Sequence, residues 1–198
     1  MIIIGLCGNS GSGKGTVCKS FLRYGVPSID ADALYRELTA PGADLNVRLS
    51  NHFGMDILND DGSLNRSSLS KIVFSDKSGE SLKNLNRITH SRIIEETEKR
   101  IENFKLLGER AVIFDAPLLF ESGFDKKCDF IITVIAKPED KIKRIMQRDD
   151  IDFSTANARI NSQLQEKYLI DRSDYVINNV GDVSDIDLQV NEIIKNIF

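Results

Sequence analysis

The sequence predicts an α/β fold: a parallel five-stranded sheet flanked by helices, interrupted by a helical insertion. Three observations carry this reading. Short apolar runs at residues 2–6, 26–29, 111–114, 130–135 and 175–177 each precede a helix-like segment, the pattern of a sheet covered on both faces. The first run leads straight into Gly8-Asn9-Ser10-Gly11-Ser12-Gly13-Lys14, a glycine-rich loop set between a strand and a helix. Between the second and third runs lies a segment with little strand character, far longer than a usual crossover.

Taken in order, the opening strand and loop are followed by a helical face beginning at Val17, Phe21 and Tyr24. The second strand ends in Asp30-Ala31-Asp32, with a helix expected from Ala33. Helical patterns occupy residues 45–53, 64–74, 82–88 and 93–107 of the insertion, and Ile94, Thr97, Ile101 and Phe104 share a face of the last. The third strand runs into Asp115, and the fourth precedes an amphipathic helix over residues 138–149. The final helix is marked by Ile186, Val190, Ile193, Ile194 and Ile197, a spacing that keeps one apolar stripe inward.

Composition narrows the function. The 198 residues allow one compact domain, or a core carrying an insertion. With 26 Lys+Arg against 30 Asp+Glu the net charge is −4, so nothing global favours nucleic acid or a membrane surface. An anionic ligand must be held by a local site. The apolar N-terminus lacks a basic leader pattern, and no stretch approaches the length needed to span a bilayer. Cys7, Cys18 and Cys128 are scattered, without metal-type spacing, and read as reduced, cytosolic thiols.

The chemistry concentrates at strand ends. Gly8 to Lys14 has the spacing G-x-x-x-x-G-K, whose glycines let backbone N–H groups wrap phosphates while the Lys reaches the β/γ oxygens. Gly11, Ser12, Gly13, Lys14, Gly15 and Thr16 are the expected nucleotide contacts. The residue after the Lys is usually a Ser or Thr that ligates Mg²⁺, and here it is Gly15, with Thr16 one step further round the helix. Asp30 and Asp32 sit beyond the carboxyl end of a strand, where ligands of open parallel sheets bind. Asp32 is the candidate to accept a hydroxyl proton; capping of the next helix is the other use for either Asp. Asp115, closing an apolar strand, has the place of an acid that holds Mg²⁺ through water. Lys137, Lys141, Arg144 and Arg148 form a basic stripe opposite Ile142, Ile145 and Met146, and such stripes are ordinarily solvated.

Together these residues resemble dephospho-coenzyme A kinase. Residues 5–17 and Ile29-Asp30-Ala31-Asp32 carry the likeness, followed in order by Pro41-Gly42, His52-Phe53-Gly54, and Asp61 through Arg66. Pro117-Leu118-Leu119-Phe120-Glu121, Gln147-Arg148-Asp149, Gln163, and Ser173 through Asn179 extend it over nearly the whole chain. The resemblance implies transfer of the ATP γ-phosphate to the ribose 3′-hydroxyl of dephospho-CoA, with Mg²⁺ accompanying ATP. It implies a P-loop NTPase-like core at residues 1–32 and 108–198, a CoA-binding insertion at 33–107, and a lid at about 149–166.

By the same likeness Asp32 is the base, Arg144 faces the migrating phosphoryl group, and Arg148 lies near the nucleotide. Asp32, His90 and Glu121 fall on the acceptor side, Glu121 either binding substrate or anchoring its loop. Asn178 and Asn179 either line an adenine pocket or form a turn, while Lys137 and Lys141 stay with the solvated reading. The expected partners are ATP and dephospho-CoA, with no nucleic acid or membrane, in a cytoplasmic monomer or small homo-oligomer. Gly15 for the family's Ser and Ser91 for its Pro are departures, the second expected to touch only a helix start. A nucleoside monophosphate kinase would share the loop, Gly15 and the lid arginines, but not the long insertion. A GTPase-like switch would need Asn-Lys-x-Asp after a strand, which does not occur.

Overall fold

The computed structural model describes residues 1–198. In chain order the elements are β1 (Ile2–Cys7), α1 (Lys14–Arg23) and β2 (Ser28–Asp30). Then come α2 (Ala31–Leu38), α3 (Asp44–Phe53), α4 (Arg66–Ser75) and α5 (Glu80–Leu106). The chain closes with β3 (Ala111–Asp115), β4 (Phe130–Ile135), α6 (Pro138–Asp149), α7 (Phe153–Asn161), α8 (Glu166–Ile170), β5 (Tyr175–Asn178) and α9 (Val183–Ile197). Two compact units result: residues 1–29 with 103–198, and residues 30–102. No helix is long and apolar enough to cross a membrane.

The five strands form one sheet in the order β2-β3-β1-β4-β5. β1 pairs parallel with β3 (Ile2 opposite Ala111) and with β4 (Ile4 opposite Phe130), and β4 pairs parallel with β5. This explains why β1, β3 and β4 read as unbroken apolar runs. Ile4, Leu6, Ile113, Ile132 and Val134 are all fully buried. Val17 and Phe21 of α1 join Ile186, Val190 and Ile193 of α9 in this same core. Each such side chain contributes roughly 1.5–3 kcal/mol through the apolar surface it removes from water.

The second unit has its own core of Leu38, Leu45, Leu49, Ile57, Leu64, Leu69 and Val73. Asn46, almost wholly buried, ties its turns together by donating its amide to the carbonyls of Thr39, Ala40 and Gly62. Two helix boundaries of this unit differ from expectation in ways that matter. The patterns at 82–88 and 93–107 are one continuous helix, α5, because residues 89–92 contain no breaker; the Thr89 hydroxyl finds its acceptor inside the helix, at the Leu85 carbonyl. Position 91 is therefore mid-helix, not a helix start. Leu64 stands outside α4, bridged to Leu58, and the Asn65 side chain caps that helix at Ser68 N–H.

Candidate active site

The loop after β1 is shaped by what surrounds it. Gly13 caps α1 at φ 94°, a left-handed conformation that side chains avoid, and a Cβ there would sit 2.0 Å from Asn179 Nδ2. Gly11 is equally confined, because a Cβ would meet the Lys141 carbonyl at 2.4 Å. Donors outside the loop then fix its carbonyls. Arg144 Nη1 donates to Gly11 O (3.1 Å) and Ser12 O (3.4 Å), and Asn179 Nδ2 donates to Ser12 O at 2.7 Å. As first-turn groups of α1, the Lys14 and Gly15 N–H groups have no intrahelical acceptor, and with the helix dipole they are of the kind that suits an anion.

Lys14 and Asp115 supply its charges. Lys14 Nζ donates to the Gly8 carbonyl at 3.2 Å and lies 3.9 Å from Asp115 Oδ1, both side chains being largely enclosed. Register places Asp115 beside Leu6, at the carboxyl end of the sheet. Cys18, in the second turn of α1, has its Sγ 3.8 Å from Asp115 Oδ2. Burial, reinforced by the Asp115 charge, pushes that thiol up to about 12, so it remains a proton donor to the carboxylate. Gly15 faces open space: a Cβ there would find nothing within 4 Å.

The basic stripe on α6 divides on closer view. Lys137 is exposed, as expected. Lys141 is not: it is 4% exposed, and its Nζ donates to Glu166 Oε1 at 3.0 Å. The solvated reading fails because Lys141 shares its face with Ile145, four residues on, and that face is the one the protein buries. Arg148 is exposed and holds Asp149 through paired bonds of 2.8 and 2.9 Å, with Arg159 on the same carboxylate. Arg148, then Arg159, keeps the Asp149 carboxyl well below the usual range.

Asn179 is buried against the loop as a brace; Asn178 is exposed, its N–H held by Gln189. Gln163 and Leu164 also touch the loop, through Ser10 N–H to Gln163 Oε1 (2.9 Å) and Asn9 Nδ2 to Leu164 O (3.3 Å). Residue chemistry alone pointed to neither brace. The available signal for Asn179 was its place one residue beyond a strand's carboxyl end, and for Lys141 its spacing from Ile145. Glu121 occupies the turn segment after β3, its carboxyl pushed upward by desolvation.

In the second unit, Asp30 accepts from the N–H groups of Asp32 (2.8 Å) and Ala33 (3.0 Å) and so starts α2 two residues earlier than expected. Asp32 lies exposed in that first turn. His90 is half-buried in α5, and desolvation holds its imidazole below the ordinary value. His52 is exposed and meets Phe53 edge-on at 4.7 Å. No group of three or more His, Cys, Asp or Glu side chains converges.

The dephospho-CoA kinase family profile matches residues 2–185. A dephospho-CoA kinase of Listeria monocytogenes is 42% identical over 176 residues, covering 89% of this chain and 87% of that one. Among solved structures, a Thermus thermophilus protein superposes with a TM-score of 0.84 at 28% identity, covering 100% of this chain and 98% of its own. Dephospho-CoA kinase from Campylobacter jejuni does so with a TM-score of 0.69 at 26% identity, covering 98% and 96%. A phosphate loop braced at the end of a parallel sheet is what a P-loop kinase requires, and the full-length match gives it a family: this chain belongs to the dephospho-CoA kinases.

Proposed function

We propose that this chain transfers the γ-phosphoryl group of ATP to the ribose 3′-hydroxyl of dephospho-CoA, releasing coenzyme A and ADP in the last step of CoA biosynthesis. The observation that carries the reading is the braced loop, with Lys14 between the Gly8 carbonyl and Asp115, in a chain matched by its family over residues 2–185. Residues 11–16 cradle the phosphates, and Lys14 offsets charge on the β- and γ-oxygens. The Arg144 guanidinium, already fixed by the loop carbonyls, presents its other nitrogens to the transferring group.

Asp115 fits a hard cation such as Mg²⁺: it is an enclosed carboxylate beside Lys14, and it would hold the ion through water. An ion held there with ATP would neutralise phosphate charge. Asp30 does the capping of α2, which leaves the Asp32 carboxylate to take the hydroxyl proton. The O3′–Pγ bond forms, the bond from Pγ to the bridging oxygen breaks, and ADP carries off the electron pair. Residues 33–107 bind the CoA moiety, with His90 and Glu121 on the acceptor side. Arg148 attends the nucleotide, and the segment at about 149–166 closes to exclude water. The reaction belongs in the cytoplasm, where the three thiols stay reduced.

The test pairs dephospho-CoA with AMP as acceptors, at saturating ATP, with phosphorus NMR of the products. Remote binding energy orients the reacting hydroxyl, so AMP is expected to turn over far more slowly even at saturation. The new phosphate is expected on the 3′-oxygen. A 5′-diphosphate formed from AMP at a comparable rate overturns the reading in favour of a nucleoside monophosphate kinase.

A further inference from the structure

The phosphoryl-transfer scheme uses Gln163 only as part of the closing segment at about 149–166, yet its side chain reaches the first limb of the loop. Its Oε1 accepts Ser10 N–H at 2.9 Å, and the next residue's carbonyl accepts Asn9 Nδ2 at 3.3 Å. The Asn9 carbonyl in turn accepts Ser12 N–H at 3.0 Å. The peptide plane between Asn9 and Ser10 is thus held at both ends, inward by Ser12 and outward by Gln163. The second limb is held by other elements, through Arg144 on α6 and Asn179 beyond β5. Three residues after Gln163, Glu166 pairs with the buried Lys141, whose own backbone lies against Gly11. Residues 163–166 therefore grip the loop's first limb and α6 together.

We infer that Gln163 is a positioning residue for the ATP phosphates, acting through Ser10 N–H. A glycine-rich loop has much conformational freedom to lose when it closes on an anion, so every peptide plane oriented beforehand lowers the cost of binding. Releasing the Ser10 N–H frees the Asn9–Ser10 plane to rotate and loosens the Asn9–Ser12 turn, the approach to the phosphate-facing amides at residues 13–15. The inference rests on the loop being the ATP site, as proposed above.

The test compares wild type with Gln163→Met, which keeps the side chain's length and loses the acceptor. ATP binding is measured by calorimetry without dephospho-CoA, alongside amide hydrogen exchange of the peptide spanning residues 8–13. Loss of one hydrogen bond of ordinary strength is expected to weaken ATP binding roughly 3–10-fold. Exchange at the loop is expected to quicken, with KM for dephospho-CoA unchanged and the nucleotide-free Tm lowered by no more than about 2–5 °C, the effect of one lost hydrogen bond. Equal ATP affinity and equal exchange in the two proteins overturn the role of Gln163. So does a larger fall in Tm with both KM values rising together, since that marks a merely structural contact. Wild type that binds no ATP at all brings down the ATP-site reading itself, and this inference with it.

Discussion

Gly13 and Gly15 stand two residues apart, one capping α1 and the other in its first turn, and the protein surrounds them differently. At Gly13 the backbone is left-handed and Asn179 fills the space a side chain would need; at Gly15 the space is open. Gly13→Ala is expected to incur about 1–2 kcal/mol of backbone strain and to displace Asn179 from Ser12 O, with loss of turnover. Gly15→Ser is expected to fold normally and to lower the Mg²⁺ concentration for half-maximal rate, because its hydroxyl adds an oxygen ligand. Stability curves and Mg²⁺ titrations of the two variants check both outcomes. Asp32→Asn is expected to leave substrate binding intact and reduce kcat by ~10²–10⁴-fold, the usual worth of a general base; a rise confined to the acceptor KM would make Asp32 a positioning group. These residues stood out as candidates in advance because each lies within a local motif. The loop contacts of Asn179 and Gln163, and the pairing of Lys141 with Glu166, did not, because each reaches the loop or its support from a distant stretch of chain.

At the scale of elements, α5 is where local reading and structure part. Periodicity suggested two helices, but Ser91 sits in the middle of one. Ser91→Pro removes a ladder N–H and presses the ring on the preceding turn, so a loss of about 3 kcal/mol or more is expected in denaturant unfolding. His90, its neighbour, gives α5 a pH dependence. Burial lowers its folded-state pKa below the unfolded value of about 6.5, so the unfolded state binds more protons between the two. Stability from this group is fully present above about pH 6.5 and declines as pH falls through the window below it. His90→Gln is expected to flatten Tm against pH between about 7 and 5, measured beside wild type. The strands of the sheet were read more closely than the helices of the insertion. A buried parallel strand is a short apolar run with sharp ends, whereas a long helix with mixed faces has only its caps to mark it.

For the whole molecule, ligand linkage offers a direct measure of the braced loop. ATP at about 100 times its Kd is expected to stabilise the protein by about 2.7 kcal/mol, raising Tm by roughly 5–10 °C in a chain of this size. Lys14→Ala is expected to fold with an unchanged ligand-free Tm and to lose most of that shift; an undiminished shift would remove Lys14 from the site. The sequence by itself determined the sheet, the phosphate loop and the family, since apolar runs, glycine spacing and strand-end acids are local patterns written in contiguous residues. Only the tertiary structure decided which side chains hold that loop in shape. A carbonyl or N–H exposed by a glycine turn is satisfied by whichever partner the fold brings near: Arg144 and Asn179 donate to loop carbonyls, Gln163 accepts from a loop N–H, and they meet there only once the sheet and its helices have packed.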